Sequence, residues 1–192
     1  GRVKVFYHDS SQQEWMNFGN DLESEYSKEH FGFDMAMNVD GTQVVVGAHK
    51  YAGIRGRMKV FRFSPSKNMW LQFGQDLVGS DHGYSYMGHS VDMTEDGSRI
   101  AISSPGVAST DSNLFLVGKI QIFEIVLFGD QDIWIKVGED IYGKKSEEHI
   151  GYYYLKFGSL GSHVYFSIGF DDYLGKTAAR VYEYSYTSQK WI

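Results

Sequence analysis

Phe31-Gly32-Phe-Asp-Met-Ala-Met-Asn-Val-Asp40-Gly41-Thr-Gln-Val-Val-Val46-Gly47-Ala48 recurs as Met87-Gly88-His-Ser-Val-Asp-Met-Thr-Glu-Asp96-Gly97-Ser-Arg-Ile-Ala101-Ile-Ser-Ser104-Pro105. In both copies an apolar residue and Gly open an alternating stretch, an Asp-Gly pair follows, and a run rich in β-branched residues comes next. Asp-Gly is a strong hairpin signal, because both central residues of the favoured two-residue turn have positive φ. Each copy therefore reads as two antiparallel strands joined by a tight turn. A third, degenerate copy begins at Ile150-Gly151 and carries Leu160-Gly161 at the turn.

Working outward, Gly1-Arg-Val-Lys-Val-Phe6 and Gly56-Arg-Met-Lys-Val-Phe61 alternate apolar with basic residues at the period of a half-buried strand. A strand around tryptophan follows each. Trp15, Trp70, Trp134 and Trp191 are spaced by 55, 64 and 57 residues. The first three are followed at the fourth position by Gly19, Gly74 and Gly138, and at the sixth by Asp21, Asp76 and Asp140. Nine residues before Trp15, Trp70 and Trp191 stand Phe6, Phe61 and Tyr182, whereas Phe123 lies two residues further from Trp134, an insertion expected in a turn. Four short antiparallel strands repeated at this period describe the blades of a β-propeller. The expected fold class is all-β, with no sustained helical periodicity.

These residues resemble the FG-GAP repeat of integrin-like β-propellers, in which an inner strand opens on Phe-Gly and the next closes on Gly-Ala-Pro. The likeness covers nearly the whole chain. It implies a ring of seven blades, a role in adhesion or ligand recognition, an extracellular or other non-cytosolic location, and calcium loops of the type Asp-x-Asp-x-Asp-Gly. The turns at Asp40-Gly41 and Asp96-Gly97 depart from that loop, offering two or three oxygen side chains where calcium takes six to eight ligands. With the Phe-Gly strand innermost, residues 1–22 make a half blade, and blades follow at 31–77, 87–141 and 150–192. Three and a half blades do not close a ring, so the expectation is a section of a longer propeller, with pairing of two copies as the other route to seven blades.

Composition fits this reading. The 192 residues include 22 Gly, 14 Tyr and 13 Phe but only 2 Pro, a balance that favours short strands and glycine turns. A formal net charge of -6 works against sequence-independent attraction to nucleic acid or anionic membranes. With no cysteine there is no disulfide, thiolate zinc site or cysteine nucleophile. No apolar run reaches the roughly 18 residues of a membrane span.

No residue set predicts catalysis, a cofactor or a metal. Gly138-Glu-Asp-Ile-Tyr-Gly143-Lys144 has most of a phosphate loop, but Lys145 replaces the hydroxyl residue, two acids sit inside it and its spacing belongs to the repeat. Gly88-His-Ser90 lacks the closing Gly of a nucleophile elbow. Asp34, Ser90 and Tyr153 occupy equivalent inner-strand positions and are too unlike one another to form a catalytic funnel. Repetition assigns the tryptophans to packing between blades, and Tyr152-Tyr153-Tyr154 to the core. Register is more informative: His30, Tyr86 and His149 each stand two residues before the inner-strand Gly, which places all three on one rim near the axis. The acidic loops there contribute Glu25, His82 and Glu148. These six are the candidate partner-binding residues, since a rigid scaffold that presents variable loops is a common recognition face. The expected function is a non-catalytic interaction module that binds a protein or further blades of its own propeller. A carbohydrate-binding lectin is the alternative, and would require exposed aromatics paired with carboxylates.

Overall fold

The computed structural model describes residues 1–80, 84–109, 113–160, 163–171 and 177–192, with the backbone alone over the described part of 159–178. It is all-β and every strand ladder is antiparallel. β1 (Arg2–Val3), β2 (Phe6–Asp9), β3 (Glu14–Asn17) and β4 (Leu22–Glu23) form two short ladders, β1 with β4 and β2 with β3. The next sheet holds β5 (Met35–Met37), β6 (Gln43–Ala48), β7 (Arg57–Ser64) and β8 (Met69–Gln72) in sequential order, with β9 (Leu77–Val78) also on β7. Between β6 and β7 runs one helix-like turn, Tyr51–Ile54, whose Ala52 and Gly53 have left-handed dihedrals. A matching sheet comprises β10 (Val91–Met93), β11 (Arg99–Ser104), β12 (Lys119–Phe128) and β13 (Gln131–Lys136), with β14 (Ile141–Tyr142) on β12. The last has β15 (Leu155–Leu160), β16 (His163–Asp171), β17 (Thr177–Ser185) and β18 (Lys190–Trp191) in order. Register shows what the first two ladders are: Arg2 and Val3 face Glu23 and Leu22 as Arg57 and Met58 face Val78 and Leu77. They match the third and fourth strands of the next sheet and the short strand that returns to the third.

Hydrophobic burial lies between successive sheets, as three layers in place of one central core. Val3 and Leu22 pack with Phe31, Val44, Val46 and Trp70. Val45, Met58 and Val60 meet Val91, Ile100, Ile102 and Trp134. Ala101, Ile120 and Ile122 meet Ile150 and Leu155, with Tyr184 and Trp191 against them. The inner strands β5, β10 and β15 lie side by side. Asp34 and Asp92 link them, their Oδ2 atoms accepting from the backbone N–H of Val91 (2.8 Å) and Phe157 (2.6 Å) on the next sheet.

The tryptophan repeat has a mechanical explanation. Each indole N–H donates to a carbonyl of the preceding sheet: Trp70 to Phe18 (2.7 Å), Trp134 to Phe73 (3.0 Å) and Trp191 to Val137 (3.3 Å). The glycine following that carbonyl is where the ring lies. A Cβ on Gly19, Gly74 or Gly138 would come within 2.8, 2.5 or 3.1 Å of the next tryptophan's Cδ1. The aspartates two residues later hold the basic residues of the third strand: Asp21 with Arg2 and Lys4, Asp76 with Arg57 and Lys59, and Asp140 with Lys119. Burial pushes the Asp140 carboxyl up, but hydrogen bonds from Lys136 and Gln121 and the nearby Lys119 hold it below the usual range. Trp15 has no glycine seat and is 70% exposed.

Three local expectations change. The Asp-Gly turns are four-residue loops in which Gly41 and Gly97 (both φ +71°) take positive φ while Asp40 and Asp96 do not. The aspartate carboxylates instead accept from the N–H of Thr42 and Ser98 at 2.9 Å, which fixes the loop without a second left-handed residue. The insertion before Trp134 lengthens the paired β12–β13 hairpin, closing Phe128 on Gln131, so Leu127 and Phe128 extend into solvent. Finally, Tyr152, Tyr153 and Tyr154 are exposed, because β15 begins only at Leu155 and the three rings precede it on a turn.

Candidate functional site

Three loops that enter the inner strands share an unusual backbone. His30, Tyr86 and His149 have φ of +58°, +54° and +46°, and the carbonyl of each accepts an N–H from the residue after the inner-strand glycine: Phe33, His89 and Tyr152, at 3.0 to 3.1 Å. The left-handed residue turns the chain back on itself, so its own side chain and that of the residue after the glycine project to the same rim. All six line one cavity of about 540 Å³. His49 and Pro105, which follow β6 and β11, complete its inner wall with Tyr84 and Lys50 at the lip.

The rings form a continuous chain. Phe33 lies 4.0 Å from His49 and 4.9 Å from His89, centroid to centroid. His49 lies 5.0 Å from His30, 5.3 Å from His89 and 6.1 Å from Tyr86. His89 stacks on Tyr152 at 4.6 Å. His149 sits 6.2 Å from Tyr152, and its Nδ1 is 3.0 Å from the Pro105 carbonyl. That carbonyl can only accept, so Nδ1 of His149 is the donor.

Burial disfavours the charged form of the two innermost imidazoles. Burial pushes His49 down to about 4, helped by His89, His30 and Lys50, since each added positive charge opposes another. Burial likewise lowers His89, against the pull of Asp34 and a backbone hydrogen bond with Tyr152. The Nδ1 atoms of His49 and His89 are buried without a hydrogen-bond partner. No Asp or Glu among the described residues lines the cavity.

The acidic candidates do other work. Glu25 reaches Lys59 and Arg57, and the Lys59 ammonium holds its carboxyl below the usual range. Glu148 was expected on an exposed loop but is 3% exposed; it accepts from the Lys144 and Lys145 N–H groups and pairs with Arg180. Its counterpart Glu29 is 1% exposed and pairs with Arg57 at 2.9 Å, beneath the ring of Tyr51. Both acids thus tie the rim loops to the basic residues of neighbouring strands. His82 lies outside the described residues.

Sequence reasoning placed His30, Tyr86 and His149 on one rim and missed the other half of the cavity. Phe33, His89 and Tyr152 carry an equally clear signal, a ring immediately after each inner-strand glycine. His49 stands where the second copy has Pro105. Among the described residues no group of three or more His, Asp or Glu is arranged to hold a metal ion, and no helix is long and apolar enough to cross a membrane.

Fold and site together define a stack of antiparallel sheets with an imidazole- and tyrosine-lined cavity at the inner-strand ends. No protein-family model matches the chain, and no curated protein matches it. Among solved structures, a chain of hydrazine synthase from Kuenenia stuttgartiensis is similar with a TM-score of 0.48 and 11% identity, over 98% of this chain and 64% of that one. The present chain therefore spans less than two thirds of that neighbour's length, and a likeness of this size carries no argument about fold family or function.

Proposed function

We propose that the sheets are blades of an FG-GAP-like β-propeller, about three and a half of a seven-bladed ring, that acts as a non-catalytic interaction module and binds a protein partner at the inner-strand rim. The convergence of three repeat units on one cavity carries this reading. A packing role alone does not call for rings at both flanks of every inner-strand glycine, half of them open to solvent. Side-by-side inner strands, each tied to the next by a carboxylate, favour the propeller arrangement. The lectin reading is weaker at this rim, because sugar sites pair aromatic faces with carboxylates and the cavity lacks the carboxylate.

Peptide display on the immobilised protein tests the proposal. Selected peptides are expected to lose binding when Phe33→Ala and Tyr152→Ala are introduced together, and to keep it with Met69→Ala on the outer strand. Selection of no rim-dependent peptide, together with a rim-dependent signal on a glycan array, would replace the protein partner with a sugar.

A further inference from the structure

We infer that the rim cavity is a binding site for an aromatic carboxylate, its ring lying against Phe33 and Tyr152 and its carboxylate held by the imidazoles of His49 and His89. The inference rests on the reading of this rim as the binding face and adds the chemistry of what enters it.

Three observations point to an anion with an aromatic body. The first is the charge distribution. The chain has 24 acidic residues and a net charge of -6, yet the described lining of this cavity has four imidazoles, one lysine and no carboxylate, with rings, Gly106 and Leu116 making up the rest. The nearby acids are turned to other tasks: Glu29 and Glu148 are paired with Arg57 and Arg180, and Asp34 accepts from the Met35 and Val91 N–H groups. The lining of this cavity thus sets no Asp or Glu against an entering carboxylate, with Asp34 the nearby acid that acts on His89.

The second is unmet hydrogen bonding. The buried Nδ1 atoms of His49 and His89 have no partner, on side chains whose ring centroids are 5.3 Å apart. A carboxylate has two acceptor oxygens and satisfies two such groups at once when they are N–H donors. A neutral ligand pairs them less strongly, because hydrogen bonds to an ionised acceptor are the stronger class.

The third is the proton inventory around His49. His30 faces it from the loop before β5, His89 from the loop before β10, Lys50 from its own loop, and Phe33 and Tyr86 complete its surroundings. In the empty site these neighbours oppose protonation. A bound carboxylate reverses the balance, so one proton passes from solvent to an imidazole as the anion enters, and the pair is held as imidazolium and carboxylate. Binding is linked to proton uptake and strengthens as pH falls from 7.5 toward 5.5.

The aromatic body follows from the walls. Phe33 and Tyr152 flank His89 at 4.9 and 4.6 Å, and Tyr84 stands exposed at the lip, so a flat ring has faces to stack on while a long aliphatic acid does not. The same chemistry comes either as a free small acid or as the C-terminal Phe, Tyr or Trp of a polypeptide.

Titration calorimetry with 3-phenylpropionate, 3-phenylpropionamide and the peptide Gly-Gly-Gly-Phe tests this on the intact chain. The acid is expected to bind at least about tenfold more tightly than its amide, the worth of a charge-assisted hydrogen bond. Its affinity should rise roughly tenfold from pH 7.5 to 5.5, and heats in buffers of different ionisation enthalpy should show net proton uptake. Tyr152→Ala, on an exposed ring, and His49→Phe should each weaken the acid without unfolding the protein by circular dichroism. If His49→Phe does not fold, Tyr152→Ala and the proton count decide. Comparable affinity for the acid and the tetrapeptide identifies a free small molecule as the source; a tetrapeptide at least about tenfold tighter identifies a partner's C-terminus. Equal binding of acid and amide, binding without proton uptake, or binding by neither acidic probe overturns the inference. Rim-dependent display peptides that bind with amidated C-termini would show that the interaction reading survives its loss.

Discussion

His49 is 5% exposed, surrounded by rings and positive charge, and lowered to about 4 from its ordinary 6.5. The sign of its effect on folding follows. Between pH 6.5 and 4 the unfolded chain takes up a proton at this residue while the folded chain does not, so stability falls as pH falls through that window and is unaffected above it. A shift of this size corresponds to roughly 2–3 kcal/mol by pH 4, and His89, lowered in the same direction, adds to it. His49→Phe keeps the ring and removes the titration. Urea denaturation at pH 4.5 and 7.0 should show a smaller stability difference for the variant than for the parent; equal differences would mean that His49 is protonated in the folded state. The residue also shows how far local sequence can be read. His30, Tyr86 and His149 were visible because they keep register with a glycine that repeats. His49 was not, because its importance comes from packing against His89 and Phe33 of other loops, and the copy it should be compared with has Pro105 there. The burial of Glu148 was hidden for a related reason: its Arg180 partner lies 32 positions away, on a strand whose pairing the local sequence does not reveal.

At the level of the strand and turn, the Trp-x-x-x-Gly-x-Asp pattern was legible as a repeat but not as a mechanism, since its tryptophan and its glycine serve different sheets. Gly74 is held at φ +78° with a Cβ position 2.5 Å from Cδ1 of Trp134. Gly74→Ala therefore meets both a conformational and a steric penalty, and should cost roughly 2–4 kcal/mol. Gly129 provides the control: φ is +60° and the space around it is open, so Gly129→Ala should cost only about 1 kcal/mol. Similar losses for the two in urea denaturation would show that the seat is not tight. Arg57 of β7, 2% exposed, also forms a buried pair with Glu29 of the loop before β5. Arg57→Met strands the Glu29 carboxylate and should cost about 3–5 kcal/mol, with much of the loss recovered when Glu29→Gln is added, because the isolated buried charge and not the missing attraction dominates. A double variant no more stable than Arg57→Met alone would assign the loss instead to the stacking of the guanidinium on Tyr51, at 4.3 Å.

Across the whole molecule the sheets form a series in which three of the four tryptophans rest on the sheet before their own, and stability is distributed over junctions as in other repeat proteins. Trp70, Trp134 and Trp191 have their seats. Trp15 does not, and beside it an open groove of about 660 Å³ runs past Val3, Val5 and Phe6 to Met35, Met37 and Val44. In the next sheet the corresponding edge of the third strand is covered by a second strand, as Val45 and Val46 of β6 cover Val60 and Lys59 of β7. An uncovered edge with apolar flanks is a site of strand addition. Trp15 is therefore the reporter for whatever covers it. In the 192-residue chain taken alone, Trp15→Phe should remove most of the acrylamide-quenchable, red-shifted tryptophan emission, leaving a blue-shifted spectrum from the seated rings. Trp15→Ala should cost less than about 1 kcal/mol, against roughly 3–5 for Trp134→Ala, whose ring is buried and bonded to Phe73. If Trp15 in the isolated chain is instead as protected as Trp134, two chains must already meet across this edge, and Trp15→Asp should then convert a dimer of about twice 21.9 kDa into a monomer in sedimentation equilibrium.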